Sequence, residues 1–433
     1  MARSRLVVGA VAVVLVAAGI VVAVRVLGDT TCGAEKVVAT SPLQSPAKMA
    51  ARPDEHRDAL AAAVARMAPP FGPVAAGVDY NYDQWLHLYA VDDGLLAFTK
   101  NNAPVTYLDD TTLKARWSLR PTSTRTAFDA SASRFLLLDL DAKAPGTIAS
   151  YALRSGEQQW CVALSSKHKD GQPVSTTFLD GGDVVTALPD GSDIRLTRLS
   201  GKDGQERWTR TLDSADRADY LGMLTDRLLL VGGTEEYQLA QPSSVLTVPP
   251  KVLTAVDVRT GKPAWTWATT HGESVHVIGV HDGSTLVMLR GSTEGAELVS
   301  LSAEGKVRWR RGLPNIGYEA TLRGDLVVIG STKGLDSFDA ATGDPRWFHD
   351  LPTNRTYFPY GFTLAQMPST DVDHVLMPTT TSLDLLDLRD ASTVVYPLPT
   401  DGVSTTYWPY QLVVTPKHLG VVANTGAILA TRE

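Results

Sequence analysis

The sequence predicts an all-β protein, a β-propeller of about eight four-stranded blades over residues 78–433, preceded by a transmembrane helix and a short juxtamembrane helix. Three observations carry this reading. Tryptophan recurs at Trp117, Trp160, Trp208, Trp265, Trp309 and Trp347, with Tyr396 in the next slot, at a period of roughly 45 residues. Each aromatic closes a related segment, among them "AVDVRTGKPAW", "SLSAEGKVRW" and "SFDAATGDPRW". Upstream lie further short apolar runs such as "RFLLLDL", "STLVMLRG" and "DLVVIGS", so each unit holds about four strands, the content of one blade.

The 433 residues carry a formal charge of −7. That length suits one large or two ordinary folded domains. The acidic balance, with no Lys/Arg cluster beyond the first few residues, excludes nucleic acid as an expected partner.

Residues 6–24 contain no charged or strongly polar side chain. At about 1.5 Å per residue such a run just crosses a hydrocarbon core of about 30 Å, so it is expected to be a signal anchor in the cell membrane. Arg3 and Arg5 precede it without an acidic residue, which assigns residues 1–5 to the cytoplasm and everything after Arg25 to the outside. A cleaved signal, giving a secreted protein, is the alternative; the run is longer than a usual signal core, and no A-x-A site follows. Residues 29–31 (Asp, Thr, Thr) lack the apolar and small residues that would make Cys32 a lipidation site.

The two cysteines, Cys32 and Cys161, are expected to pair in an exported chain and to tie the juxtamembrane segment to the folded body. Two unpaired buried thiols are the alternative. Residues 25–77 read as an extracytoplasmic stalk, rich in Ser, Pro and Ala over 40–51. Within it "DEHRDALAAAVARM" predicts a helix over residues 54–67, acidic at its start, with Leu60, Val64 and Met67 on one face.

The repeated signature has a physical reading. In "AVDVRTGKPAW" a strand ends near Asp257, the pair Thr260 and Gly261 turns the chain, and a second strand runs to Trp265. Gly takes the positive φ that closes a hairpin, and Asp or Thr bonds exposed backbone there. Pro263 and Pro345 would break a central strand, which places this strand on the outer edge of its sheet. A Trp on that edge buries its ring against the next blade, and one ring per blade staples the circle.

These residues resemble the repeat family named for pyrroloquinoline quinone, whose tryptophan-docking motif reads Ala-x-Asp-x-x-Thr-Gly-x-x-x-Trp. Ala255, Asp257, Thr260, Gly261 and Trp265 match it in full, and Asp339, Thr342, Gly343 and Trp347 match with Ser337 in place of Ala. The units ending at Trp160, Trp208 and Trp309 keep Gly156, Gly204 and Gly305 while the Asp and Thr positions drift. Leu113 stands where Gly belongs in the first unit, and Tyr396 replaces Trp in the last. The resemblance spans roughly residues 80 to 430.

The family holds quinoprotein dehydrogenases and cofactor-free scaffold propellers, the latter including a lipoprotein of the outer-membrane protein assembly machinery. The dehydrogenases carry a vicinal Cys-Cys disulfide over the quinone and supply Glu, Asn and Asp to a calcium ion. This sequence has no adjacent cysteines, and "DSADRAD" and "LDLDAKAPG" lack calcium-loop spacing. The resemblance therefore implies the scaffold side: no cofactor, no metal and no catalysis. A quinone-dependent oxidoreductase is the competing class, and a ligand-sensing exterior module a third.

Other catalytic patterns fail. His271, His276 and His281 fall on or beside a predicted strand, with the outer two about 33 Å apart if extended, too far to share one metal. Neither G-x-S-x-G nor a Walker A loop occurs.

The last run, "YQLVVTPKHLGVVANTGAILATR", supplies three strands without a closing Trp strand. A strand near Val78 would complete an eighth blade. Seven blades, with these strands folded into the first, is the alternative.

The expected function is protein binding, with envelope or exported partners. "YNYDQW", "YFPYG" and "YWPYQ" occupy equivalent links between blades, and closure of the ring would gather Tyr80, Tyr82, Trp85, Tyr357, Phe358, Tyr360, Tyr407, Trp408 and Tyr410 on one face. Aromatic residues are enriched in interaction sites, so this sector is the candidate partner surface; packing of inner strand starts is the alternative use of the rings. The insertion at 234–250 is a second candidate loop.

Overall fold

Strands of two kinds alternate along the chain. Runs such as Ser284–Arg290 and Leu326–Ser331 are buried on both faces, whereas Val307–Gly312 and Pro345–Asp350 show every second residue to solvent. A strand buried on both faces reads as a continuous apolar run, and this is the interior of a stacked sheet. The computed structural model describes residue 32 onward except residues 53, 67–70, 80–85, 92, 100–103, 122–125, 131–132, 140–145, 165–174, 180, 191–192, 213–219, 224–227, 233–251, 270–273, 291–295, 315–316, 332, 351–373, 379–381, 398–408, 424–425 and 433. Residues 6–24, expected to be the anchor, lie outside the described residues. Among the described residues no helix is long and apolar enough to cross a membrane.

The fold is an all-β propeller. The described strands make eight antiparallel sheets: six of four strands, one of five and one of three. In chain order the first seven end on the outer strands Ala115–Arg120, Gln158–Ala163, Glu206–Leu212, Pro263–Ala268, Val307–Gly312, Pro345–Asp350 and Thr393–Pro397. The eighth sheet takes Pro409–Val414, His418–Ala423 and Gly426–Arg432 from the C-terminal end and completes itself with Phe71–Asp79, where Val78 lies opposite Ala427. These C-terminal strands do not enter the first sheet.

First and eighth sheets pack directly. Leu88, Leu95, Ala97 and Leu108 share one apolar cluster with Val413, Val422, Ala427 and Leu429. A buried polar latch lies beside it. Asp110 accepts hydrogen bonds from Thr415 Oγ1 at 2.6 Å and from the Lys417 amide at 3.2 Å, and its carboxylate stands 2.9 Å from His418 Nδ1.

The segment expected to be a stalk departs from that expectation. Within residues 32–77 the chain forms a short strand Glu35–Val37, helix α1 (Pro46–Ala51), helix α2 (Glu55–Val64) and most of Phe71–Asp79. Leu60 and Val64 of α2 are buried with Met49, Phe71 and Tyr396, so the apolar stripe of this helix packs onto the propeller. Asp54 caps α2 by accepting the Arg57 amide at 2.8 Å. Arg57, wholly buried, donates to the carbonyls of Met49 and Arg52 and ties the two helices together.

Candidate binding surface

The signature residues form a single device repeated around the ring. Asp257 Oδ1 accepts the Thr260 amide at 2.8 Å and the Thr260 hydroxyl at 2.9 Å, and Asp339 and Thr342 repeat the arrangement. Burial opposes ionisation of Asp257, yet the Thr260 bonds outweigh it and hold its pKa low. Asp339 is held low first by the Arg346 guanidinium. Gly261 and Gly343 have φ of +70° and +74°, a conformation that side chains disfavour.

The indoles reach forward to the next unit. Trp117 Nε1 donates to Leu153 O, Trp160 to Gly201 O, Trp208 to Val258 O, Trp265 to Ala303 O, Trp309 to Ala341 O and Trp347 to Leu388 O, over 2.6 to 3.0 Å. Each signature glycine is also the floor on which the preceding ring lies. A Cβ at Gly261 would stand 2.7 Å from the Trp208 ring, at Gly305 2.5 Å from Trp265 and at Gly343 2.6 Å from Trp309. The motif is thus a socket as well as a turn.

The seventh unit docks differently. Its outer strand pairs without a bulge, so Val394 stands opposite Leu385 where Trp347 stands opposite Ser337 one sheet earlier. Tyr396, two residues on, supplies the docking ring and meets Phe71 edge to face, with centroids 5.5 Å apart at 73°.

Among the aromatic residues expected to form the partner surface, Tyr80, Tyr82, Trp85, Tyr357, Phe358, Tyr360, Tyr407 and Trp408 lie outside the described residues, as does the insertion at 234–250. Tyr410 is placed in Pro409–Val414, at the pairing irregularity between Pro409 and Gln411.

A different surface stands out. Cys32 and Cys161 are joined by a disulfide, with Cα atoms 6.1 Å apart. From there the chain runs as a strap across three sheets. The Ala34 amide donates to Tyr151 Oη at 2.5 Å, and burial raises the pKa of that phenol. Glu35–Val37 pairs antiparallel with Ala115–Arg120, and Ser41 Oγ donates to Leu113 O at 3.3 Å. Gln44 and Gly77 then exchange two backbone hydrogen bonds of 2.7 and 3.0 Å on the eighth sheet.

Between strap and first sheet runs an open groove of about 670 Å³. Val37, Val38 and Pro42 form one wall; Ala97, Phe98 and Pro104 form the other. Its floor holds Thr106 and Ser118, whose hydroxyls bond each other at 2.8 Å, and Arg120 lines it as well. Tyr89 stacks on Phe98 at 5.5 Å and 9°, and Val38 is 88% exposed. This arrangement offers apolar contact and shape. Its lining has neither a nucleophile paired with a base nor a cluster of metal donors.

The latch at the closure brings an Asp, a His and a hydroxyl together, but Thr415 Oγ1 donates to the carboxylate and not to the imidazole. That is a structural junction, unlike a nucleophile primed by a base. Nor do the described residues match a site for a quinone with calcium. The cysteines are bonded 129 residues apart, and among the described residues no three His, Cys, Asp or Glu side chains group to hold a metal.

A family model described as "Outer membrane protein assembly factor BamB" matches residues 61–246 and 250–393. The chain belongs to this family. No curated protein matches this BamB-family chain in sequence. Among solved structures it is similar to BamB from Moraxella catarrhalis, at 16% identity and a TM-score of 0.52, covering 84% of this chain and 100% of that one. The Dos1 propeller is similar at 10% identity and 0.57, covering 81% and 94%. The dihydro-heme d1 dehydrogenase NirN in complex with DHE is similar at 14% identity and 0.50, covering 72% and 66%. At such identities the likeness is one of fold, and one fold serves both binders and enzymes.

Sequence reasoning anticipated the disulfide that ties this segment to the folded body but missed the strand pairing of the strap and its groove. The signal was present in Cys32 and the β-branched pair Val37 and Val38, but the Ser/Pro-rich residues after them read as a linker.

Proposed function

We propose that this chain is a protein-binding scaffold of the cell envelope, without catalysis, held to the membrane by residues 6–24 and exposing its propeller outside the cytoplasm. In this reading each of the eight sheets is one blade. Membership of the BamB family supports envelope proteins as partners. The Cys32–Cys161 disulfide supports an oxidising compartment.

The observation that carries the binding role is the groove under the strap. Ala97 and Phe98 of its lining also pack in the clusters at the seams of the first sheet, but the lining holds none of the docking Trp and Gly residues, and it joins exposed Val38 to the stacked pair Phe98 and Tyr89. A trough of mixed lining, with Val37, Val38, Pro42 and Phe98 beside Glu35, Lys36 and Arg120, suits a protein segment.

The test is photocrosslinking in intact cells from position 38 of the full chain. Capture of an exported or envelope protein supports the scaffold; capture of no protein from this groove or from any other surface position removes it.

A further inference from the structure

Among the described residues the outer edges of the sheets are guarded, with one exception. In six of the seven signature units the pairing slips by one residue, between Tyr107 and Leu108, Gln158 and Trp160, Arg198 and Leu199, Ala255 and Val256, Ser300 and Leu301, and Ser337 and Phe338. Such a bulge twists an edge and limits the length over which another strand can pair: on Ala115–Arg120 only residues 118–120, beyond the slip, carry Glu35–Val37. The first sheet is further covered by Glu35–Val37, and α1 and α2 pack against Phe71–Asp79 of the eighth.

Thr393–Pro397 has no bulge and, among the described residues, no covering strand, although its Tyr396 is buried with Leu60 and Val64 of α2. It pairs residue for residue with Ser382–Asp387, from Thr393 opposite Leu386 to Pro397 opposite Ser382. It carries no charged side chain, and among the described residues no strand lies on its far side. Val394 and Val395 are 51% and 37% exposed, and as neighbours on a strand they face opposite sides of the sheet. Pro397 ends the strand without interrupting it. A straight, uncharged edge bearing exposed valines is a place where another chain adds a strand.

The chain itself shows that an extended segment can add to an outer strand, there with the charged residues Glu35 and Lys36. On the equivalent outer strand of the first sheet, Glu35–Val37 lies antiparallel, with Val37 opposite Ser118.

Resting on the scaffold reading, we propose that Thr393–Pro397 is a docking edge at which a partner protein adds one extended strand. Main-chain hydrogen bonds supply the attachment, and the valines select a segment with uncharged β-branched or aromatic residues on both faces and no internal proline.

The experiment places a photocrosslinking residue at positions 394, 395 and 397 of the full-length protein in cells, with position 38 in the groove as a parallel arm. The expected result is capture of one partner segment whose crosslinked positions shift in register, residue by residue, as the probe moves along the strand. Val394→Lys with Val395→Lys should lower capture from the probe at position 397 more than 10-fold while the melting temperature stays that of the parent. Scattered crosslinks, capture only of a second copy of this chain, or capture unaffected by the lysines overturns the docking edge. Capture from position 38 alone overturns the edge and leaves the scaffold standing; capture from none of the positions removes both.

Discussion

Asp110 and His418 stand 2.9 Å apart across the seam between first and eighth sheets, 308 residues apart in sequence and both buried. The carboxylate is also the acceptor for Thr415 and Lys417. Replacing Asp110 with Ala removes the carboxylate from this buried junction and leaves the Thr415 hydroxyl and the Lys417 amide only their bonds to His418 O and Thr415 Oγ1, and the expected loss is about 2 to 4 kcal/mol of stability. Asp110→Asn, whose amide oxygen still accepts, should lose less. Chemical denaturation of the two variants checks the order.

Gly343→Ala should destabilise through two causes at once, a φ of +74° and a Cβ 2.6 Å from the Trp309 ring. Gly283 has a φ of +69° but open space around it, so Gly283→Ala carries the backbone cost alone, about 1 to 2 kcal/mol. The difference between the two melting temperatures isolates the socket. A Trp309 fluorescence shift in Gly343→Ala alone is expected alongside it.

Much of this was legible in the sequence because it is local. The pairing of Asp257 with Thr260, the positive φ of Gly261 and the edge position of Trp265 are decided within nine residues. The second role of Gly261, as floor for Trp208, depends on a neighbour one sheet away and has no local trace. Phe71–Asp79 was partly hidden because Gly72, Pro73 and Gly77 read as loop, while its partner strand lies at the far end of the chain. Tyr396 took the Trp slot in the pattern, but the missing bulge beside it shows only in the register. The strap was obscured because a three-residue strand has too few positions to display a period.

Breaking the disulfide should release the strap. Cys32→Ser with Cys161→Ser opens a closure of 129 residues, which the chain-entropy account values at about 5 kcal/mol at most. The variant is expected to melt at lower temperature, and amide exchange over residues 34–44 should accelerate before that of the sheets. Unchanged exchange there would mean that strand pairing and the Gln44–Gly77 bridge hold the strap by themselves.

Acid should weaken the turns. The Arg389 guanidinium beside Asp387 lowers that carboxyl from 3.8 to about 2. Arg116 and the Thr112 amide hold Asp109 well below its usual range as well. A carboxyl whose pKa is depressed by folding stabilises fully above its unfolded value and loses that contribution as pH falls through the folded one. Melting temperature is therefore expected to decline between about pH 4 and pH 2. Asp387→Asn should melt lower than the parent at neutral pH and converge with it at the acid end; a constant gap across the range would contradict this.

The most direct measurement is capture from position 38 in intact cells, compared between the parent and the chain lacking both cysteines. If the strap and first sheet form the partner surface, the parent yields one specific crosslinked envelope protein and the cysteine-free chain yields little of it. Equal capture from both chains although amide exchange shows the strap released in the cysteine-free one, or capture of no protein by a folded parent, would contradict the scaffold assigned to this groove.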